Sequence, residues 1–199
     1  MNEDEIKYNS IVQDLPQFPK GINLELTNYC NLKCNFCLNP SNNFREKGLM
    51  SDQIFNKIVD EVPQETIITL CGIGEPTLHP NFLNYIKKLN SDSKINTVFL
   101  VTNAHQLKDE VISCVVDSIV SKITFSLDYF DQKEYRRHKQ GELNKAISSI
   151  DRMISERRRA GNKKLQFQIN MHAQKFNEKQ IEGAIKYFSD RLNPGDVLI

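Results

Sequence analysis

The chain has 199 residues, enough to bury one sizeable hydrophobic core or two small ones. Its 26 lysines and arginines balance 25 aspartates and glutamates, so no overall field draws it to nucleic acid or anionic lipid. The sequence has no apolar run long enough to cross a membrane, and its acidic start, 1–5, differs from a secretory signal. We therefore expect a cytoplasmic protein that binds its ligands at a local site.

From about residue 22 onward, short runs typical of β-strands alternate with longer amphipathic runs typical of helices. This alternation predicts an α/β domain with a parallel sheet, either open or curled into a partial barrel, whose ligands bind at the carboxyl ends of the strands. The predicted strands are 22–27, 66–70, 97–101, 123–127, 165–169 and 197–199. Apolar residues spaced by three and four predict helices around 54–62, with Ser51 as the cap, and around 82–89, 111–119, 143–154 and 181–188.

The two ends of the chain differ from this regular middle. Residues 1–21 are polar and end in prolines and a glycine, so we interpret them as an N-terminal leader segment before a single domain at 22–199. The last residues, 197–199, are apolar and look like the first half of a buried strand, whereas natural termini are usually polar. This ending is consistent with a domain truncated at its sixth strand.

Three of the five cysteines, Cys30, Cys34 and Cys37, lie close together directly after the first predicted strand. Their neighbours are polar, so buried inert thiols explain them poorly, and clustered thiolates favour zinc, copper(I) or an iron–sulfur cluster. Zinc would need a fourth ligand, for which Cys71 or His79 is available. A four-iron cluster held by three cysteines would leave one iron open for a chelating substrate. Apart from the zinc alternative, the two remaining cysteines, Cys71 and Cys114, lie in apolar stretches and are interpreted as packing residues.

The second predicted strand runs into a loop that contains Gly72, Gly74 and Glu75. Glycine lets a backbone approach a ligand closely, and the glutamate offers a negative charge to an ammonium group. The same residues are also compatible with a plain turn.

The third and fourth strands end in polar residues as well. Asn103 follows the third strand, where an asparagine either faces a pocket or forms a turn. The fourth strand ends in Ser126-Leu127-Asp128, and Asp128 either caps the next helix or meets the substrate. Because the carboxyl ends of parallel strands meet at one edge, these loops are expected to share a site.

The C-x3-C-x2-C run of Cys30, Cys34 and Cys37, with aromatic Phe36 before its last cysteine, resembles the signature of the radical S-adenosylmethionine (SAM) superfamily. Three later segments resemble further motifs of the family, in the same order along the chain. They are the glycine–glutamate loop, Val101–Ala104 with alanine where the family has glycine, and Ser126-Leu127-Asp128. The resemblance covers nearly the whole chain from about residue 22. It implies a partial (β/α)6 barrel of the TIM type with a parallel sheet.

The resemblance also implies a role for each matching residue. Cys30, Cys34 and Cys37 would hold three irons of a [4Fe–4S] cluster, and the methionyl amine and carboxylate of SAM would chelate the fourth. The other implied SAM-binding residues are Phe36 beside the cluster, Gly72, Gly74 and Glu75 at the amino group, Asn103 in the pocket, Ser126 at the ribose, Ile169, Asn170 and Met171 at the adenine, and Arg137, in preference to Arg136, at the carboxylate.

The implied reaction begins when an electron donor such as flavodoxin or ferredoxin reduces the cluster. SAM is then split into methionine and a 5′-deoxyadenosyl radical, which abstracts hydrogen from a substrate. Residues 24–30, which lead into the cysteine motif, and the Ser-Leu-Asp segment most resemble the SPASM-type branch of the family. That branch modifies peptides and proteins, so a peptide or protein substrate is expected. The C-terminal extension that carries further clusters in that branch is missing from this sequence.

Two other functions remain open at this point. One is a zinc- or cluster-binding interaction domain without turnover. The other is a radical SAM enzyme that modifies nucleic acid, for which the basic run Arg157–Arg159 with Lys163 and Lys164 is the available feature. That run lies at a predicted helix end, where cations favour the negative end of the dipole, and it lacks aromatic residues that stack on bases. Nucleic-acid binding is therefore not expected.

Overall fold

The computed structural model describes residues 18–38, 46–105, 107–172 and 177–199. Residues 1–17, most of the predicted leader, lie outside the described residues. The sheet has six strands, all parallel and adjacent in chain order, so the predicted α/β fold and partial barrel are confirmed. The strands are β1 (Gly21–Leu24), β2 (Ile67–Leu70), β3 (Thr97–Thr102), β4 (Val120–Ser126), β5 (Gln166–Asn170) and β6 (Val197–Leu198).

Helices connect the strands, and Ser51 caps the first of them through its side chain, as predicted. The helices are α1 (Asp52–Glu61), α2 (Phe82–Ser91), α3 (Asp109–Val116), α4 (Gln132–Lys139), α5 (Leu143–Arg159) and α6 (Glu178–Phe188). Five of these match the predicted amphipathic runs. Helix α4 was not predicted, because its eight residues are so polar that they show no apolar stripe. None of the helices in the described ranges is long and apolar enough to span a bilayer.

The strand register aligns the carboxyl ends that carry the predicted site. Leu24 is opposite Leu70, which is opposite Leu100, and Leu100 is opposite Ile123 on the next strand. All the loops that leave these strands therefore emerge at one edge of the sheet.

The two faces of the sheet have different chemistry. Alternate strand residues such as Ile68, Val98 and Phe167 are buried and belong to the core that includes the helices. The residues between them include half-buried polar side chains such as Thr69 and Gln168. A parallel sheet covered on both faces is apolar throughout, so the polar face of this one indicates an accessible concave interior.

Strand β1 ends earlier than the sequence predicted. Apolar alternation continues to Thr27, but beyond Leu24 the chain leaves its pairing with β2. The carbonyl oxygen of Leu26 accepts a hydrogen bond of 2.8 Å from the Met50 amide, and Thr27 forms an isolated antiparallel bridge with Leu49. The segment that leads to the cysteines is therefore held by the start of α1.

The basic run at the end of α5 is partly buried. Arg157 is 1% exposed, and its guanidinium donates two hydrogen bonds, of 2.7 and 2.6 Å, to the carboxylate of Asp196 before β6. It also donates to the carbonyl oxygen of Leu165 and lies 3.9 Å from the ring centroid of Phe167. Through these hydrogen bonds, Arg157 of α5 links the segments that lead into β5 and β6. The prediction that this run lies at a helix end is confirmed, since α5 ends at Arg159, and the charge of Arg157 is additionally paired inside the fold.

Candidate functional site

A cavity of about 410 Å³ lies at the carboxyl ends of the strands. Its walls come from the loops after β1 to β5, together with Ile199 after β6. Of the residues that the signature assigned to the cluster and SAM, those lining this cavity are Cys30, Cys34, Phe36, Cys37, Gly72, Gly74, Glu75, Asn103, Ser126, Asn170 and Met171. The fold therefore brings together residues from distant parts of the sequence.

The cysteine loop is anchored at its start by Asn28. The side chain of Asn28 donates to the carbonyl oxygen of Glu46 at 2.7 Å and accepts from the amide of Gly48 at 2.7 Å. The hydroxyl of Thr27 donates to the carbonyl oxygen of Gly48 at 3.0 Å. These bonds fix the direction in which the chain enters the loop.

Asn103 anchors the same loop from β3. Its side-chain amide donates to the side-chain oxygen of Asn31 at 2.8 Å and approaches the sulfur of Cys30 at 3.6 Å. Its own oxygen accepts from the amide of His105 at 2.7 Å, which is the turn contact that asparagine often makes. Both interpretations of Asn103 therefore apply, since it forms the turn and also faces the cavity.

The cysteine thiols lie close enough to affect one another. Burial raises the pKa of Cys30, and negative charge on Glu75 and Cys37 raises it further. Burial also raises the pKa of Cys34 to about 11, against the opposing effect of the Lys139 ammonium. Removing the protons from Cys30 and Cys34 therefore needs a compensating cation, which a metal centre supplies.

The donor set fits an iron–sulfur cluster better than zinc. Both ring nitrogens of His79 are engaged, with the Met50 carbonyl oxygen at 3.0 Å and the Asn81 amide at 3.1 Å, and Cys71 does not line the cavity. Neither completes a tetrahedral site. Within the described residues, no three His, Cys, Asp or Glu side chains are grouped as a single metal ion requires. A four-iron cluster is larger than one ion and is held by more widely spaced sulfurs.

The glycine loop packs directly against the cysteine segment. A Cβ on Gly74 would lie 2.1 Å from the carbonyl oxygen of Thr27, and the next amide, of Glu75, donates to the Tyr29 carbonyl oxygen at 2.8 Å. A Cβ on Gly72 would meet the carboxylate of Glu25 at 2.4 Å. These glycines were predicted to let the backbone approach a ligand closely. In the structure, their missing side chains also make room for Thr27 and Glu25 of the protein itself.

Glu75 connects the loops after β2 and β3. It is 3% exposed, and its carboxylate accepts hydrogen bonds from the hydroxyls of Thr77 and Thr102 and from the amide of Asn103, at 2.7, 2.8 and 2.7 Å. Burial raises the pKa of Glu75, whereas these hydrogen bonds act in the opposite direction. Glu75 thus combines a place in the cavity wall with a structural role.

The cation that faces the cavity is Lys139. Arg136 and Arg137 are exposed on α4, and neither lines the cavity. Lys139 does line it, is 2% exposed, and its ammonium contacts the carbonyl oxygen of Ser126 and the carboxylate of Asp128. The structure therefore does not place Arg137 at the site, because α4 is oriented with Tyr135 and Lys139 inward. Lys139 was not predicted as a site residue, since lysine is rarely buried.

Asp128 and His172 also belong to the cavity wall without having been assigned to SAM. Asp128 has a backbone φ of 64°, an uncommon conformation for a non-glycine residue, and Asp131, not Asp128, caps α4. The His172 ring lies 3.7 Å from the Asp128 carboxylate and 5.4 Å from the ring of Phe36. Phe36 is 49% exposed and thus lies where the cavity opens to solvent.

The sequence matches one known protein family over most of its length. The family model described as the Radical SAM superfamily matches residues 24–191. The cofactor-modifying protein of tungsten-containing aldehyde ferredoxin oxidoreductase from Pyrococcus furiosus is 27% identical over 173 residues, covering 84% of this chain and 48% of that protein. A GTP 3′,8-cyclase from Desulforamulus reducens is 27% identical over 138 residues, covering 67% of this chain and 42% of its own.

Solved structures show the same fold. Streptococcus suis SuiB bound to S-adenosylmethionine has a TM-score of 0.71 and 19% identity, covering 95% of this chain and 43% of that chain. Native anSMEcpe with bound AdoMet and Cp18Cys peptide has a TM-score of 0.67 and 16% identity, covering 89% and 49%. The chain spans about half the length of the relatives it matches. Because the family model matches most of its residues, the chain belongs to the radical SAM superfamily, a family of enzymes that use a [4Fe–4S] cluster and S-adenosylmethionine.

Proposed function

We propose that this chain is the core of an enzyme that cleaves SAM reductively and uses the resulting radical to abstract hydrogen from a substrate. The observation that carries this proposal is that Cys30, Cys34 and Cys37 line one cavity with the loop of Gly74 and Glu75. In this site the three thiolates would hold three irons of a [4Fe–4S] cluster. When the cofactors are bound, one-electron reduction of the SAM sulfonium yields methionine and a 5′-deoxyadenosyl radical.

Charges on two walls of the cavity match the amino-acid end of SAM. Glu75 offers a carboxylate for the methionyl ammonium, and Lys139 offers an ammonium for the methionyl carboxylate. An ammonium has three N–H donors, and two of those on Lys139 are used by Ser126 and Asp128, so one is left for the cavity. We therefore assign to Lys139 the role that the sequence had suggested for Arg137.

The remaining lining residues suit the nucleoside. Ser126 and Asn170 are the last residues of β4 and β5, and Met171 follows β5; together they supply polar groups for the ribose and an apolar surface for the adenine. Phe36 at the opening would cover the bound nucleoside. A primary carbon radical reacts with any nearby hydrogen donor, so such shielding is needed.

We propose a peptide or protein as the substrate. Two proteins of the same fold, SuiB and anSMEcpe, have been solved with peptides bound. The GTP 3′,8-cyclases point instead to a nucleotide, whose phosphates would need accessible cations. Lys139 is the one lysine or arginine that lines the cavity within the described residues, and it is paired with Asp128. This arrangement favours a substrate without phosphates.

The proposed reductant is a small electron-transfer protein such as flavodoxin or ferredoxin, which would act in the cytoplasm. The proposed cluster needs Cys30, Cys34 and Cys37 as reduced thiols, which a reducing compartment maintains. Apolar side chains near the cavity opening, such as Leu38 and Ile199, are 59% and 63% exposed and offer contact area to a macromolecular partner.

Anaerobic reconstitution with iron and sulfide tests the proposed activity. The wild-type protein should bind four irons, show the broad visible absorption of an iron–sulfur cluster, and form 5′-deoxyadenosine from SAM when dithionite is added. Cys34→Ala should abolish 5′-deoxyadenosine formation, measured by mass spectrometry. Cys114→Ala is the matched control, since Cys114 lies on α3 and does not line the cavity. Normal turnover by Cys34→Ala, or zinc in place of iron, would refute the assignment.

A further inference from the structure

The cysteine loop contacts the last turn of α4 through Asn35. The backbone amide of Asn35 donates to the carbonyl oxygen of His138 at 2.9 Å, and its side-chain nitrogen lies 3.2 Å from Nδ1 of the His138 ring. Asn35 belongs to a turn in which the amide of Cys37 donates to the carbonyl oxygen of Cys34 at 3.1 Å. His138 therefore contacts, at two points, the turn that carries two of the three clustered cysteines.

The His138 ring is held from two further directions. It stacks on the ring of Tyr129, with centroids 4.7 Å apart and planes inclined by 11°, and Tyr129 is itself buried. Nε2 of His138 lies 3.3 Å from the carboxylate of Glu134, one helical turn earlier on α4. The His138 and Glu134 side chains are 20% and 22% exposed, so their contact is partly shielded from water. Stacking and charge together hold the imidazole with Nδ1 towards Asn35.

These contacts determine which ring nitrogen of His138 carries the proton. The side-chain NH2 of Asn35 can only donate, so Nδ1 is the acceptor. In the neutral imidazole the proton is then on Nε2, where it faces the negative charge of Glu134. A carboxylate that fixes the tautomer of a histidine also fixes what the other ring nitrogen can bind. Glu134 thus acts on Asn35 through His138.

We propose that His138 is a positioning residue for the cluster, whose Nδ1 holds the turn from Cys34 to Cys37 in the shape that binds iron. This inference rests on the proposed function. The two cysteines stand at the two ends of one turn, so a change in the turn changes the separation of their sulfurs. A turn that is already formed avoids the conformational cost of ordering it around the cluster. Loss of the Nδ1 acceptor should therefore weaken the hold on iron.

The test compares His138→Asn with His138→Gln after anaerobic reconstitution. The side-chain oxygen of asparagine can take the place of Nδ1, whereas that of glutamine reaches the place of Nε2 and leaves the Asn35 side chain without its acceptor. Iron release to a chelator is followed by the loss of visible absorption. His138→Asn should release iron at the wild-type rate, and His138→Gln about 10-fold faster. Arg136→Gln, exposed on the same helix, is the control and should match the wild type.

The order of the two variants separates positioning from a general effect on α4. Glutamine favours a helix more than asparagine does, so a loss of helix stability alone predicts faster iron release from His138→Asn. That order, or equal rates in the two variants, would overturn the proposal and leave the proposed function intact. A wild-type protein that assembles no [4Fe–4S] cluster would overturn both.

A measurement on the iron-free wild-type protein does not depend on how the variants fold. Long-range proton–nitrogen correlation spectra of histidine-labelled protein report which ring nitrogen carries the proton. The His138 signals are assigned through the contacts of its ring protons with the stacked Tyr129 ring. They should show the proton on Nε2. A proton on Nδ1 would overturn the proposal, because Nδ1 could not then accept from Asn35.

Discussion

The ammonium of Lys139 contacts the carboxylate of Asp128 in the wall of the cavity, with 2% and 8% of the two side chains exposed. Such a pair is costly to desolvate, so it is weak evidence for stability on its own account. Its place beside Cys34 and Ser126 holds one positive charge at a fixed point facing the cavity.

Lys139→Met should weaken SAM binding by about 10- to 100-fold, because the methionyl carboxylate would lose a charge-assisted hydrogen bond. The affinity is measured by isothermal titration calorimetry on the reconstituted protein. Arg137→Met is the matched control on the same helix, and it should bind SAM as the wild type does, since Arg137 is exposed outside the cavity. If Arg137→Met weakened SAM binding and Lys139→Met did not, Arg137 would be the residue that binds the methionyl carboxylate.

Stability measurements on the same pair separate binding from folding. Lys139→Met leaves the Asp128 carboxylate buried without its cation, which should lower the free energy of unfolding by about 3 kcal/mol in urea titrations. Adding Asp128→Asn should restore most of that loss, because no charge is then left uncompensated. SAM affinity should stay low in the double variant. If affinity and stability recover together, Lys139 acts through the fold alone.

The hydrophobic periodicity of the sequence was sufficient to predict six strands in a parallel sheet and five of the helices. It failed at α4, whose single large apolar residue, Tyr135, gives no stripe. That omission left Arg137 as the predicted partner of the methionyl carboxylate, whereas Arg137 does not line the cavity in the structure. In a helix that starts from Tyr135 as the buried residue, Arg137 is rotated by about 200° and points outward, whereas Lys139 is rotated by about 40° and points inward. Because helix α4 was not predicted, there was no basis in the sequence for deciding which of these cations faces the cavity.

The candidate site was easier to predict than its internal contacts. Cys30, Gly74 and Glu75 stand at strand ends, and topology alone brings strand ends together. The sequence gives no sign that Glu75 accepts hydrogen bonds from Thr102 and Asn103, since those partners come from another strand and depend on its register. Long-range side-chain contacts of this kind need the three-dimensional structure.

Gly74→Ala should disrupt the site, because the new Cβ would lie 2.1 Å from the carbonyl oxygen of Thr27 and 2.7 Å from that of Tyr29. Backbone atoms yield less easily than side chains, so we expect a loss of about 1–3 kcal/mol in the free energy of unfolding and a lower iron content after reconstitution. Gly48→Ala is the control, since nothing lies within 4 Å of its added Cβ. A fully stable Gly74→Ala that binds four irons would contradict the tight packing of the two loops.

Arg157→Met should destabilise the barrel at its β6 edge. The carboxylate of Asp196 is 1% exposed and would remain buried without the two guanidinium hydrogen bonds that hold it. Breaking a buried pair in this way costs about 3–5 kcal/mol, which chemical denaturation followed by circular dichroism measures directly. Arg159→Met, two residues along the same helix, removes only an exposed pair with Glu156 and should change stability by less than about 1 kcal/mol. Equal losses in the two variants would mean that Arg157 contributes no more than a surface charge. A selective loss in Arg157→Met would show that β6, and with it the Ile199 wall of the cavity, depends on this buried arginine.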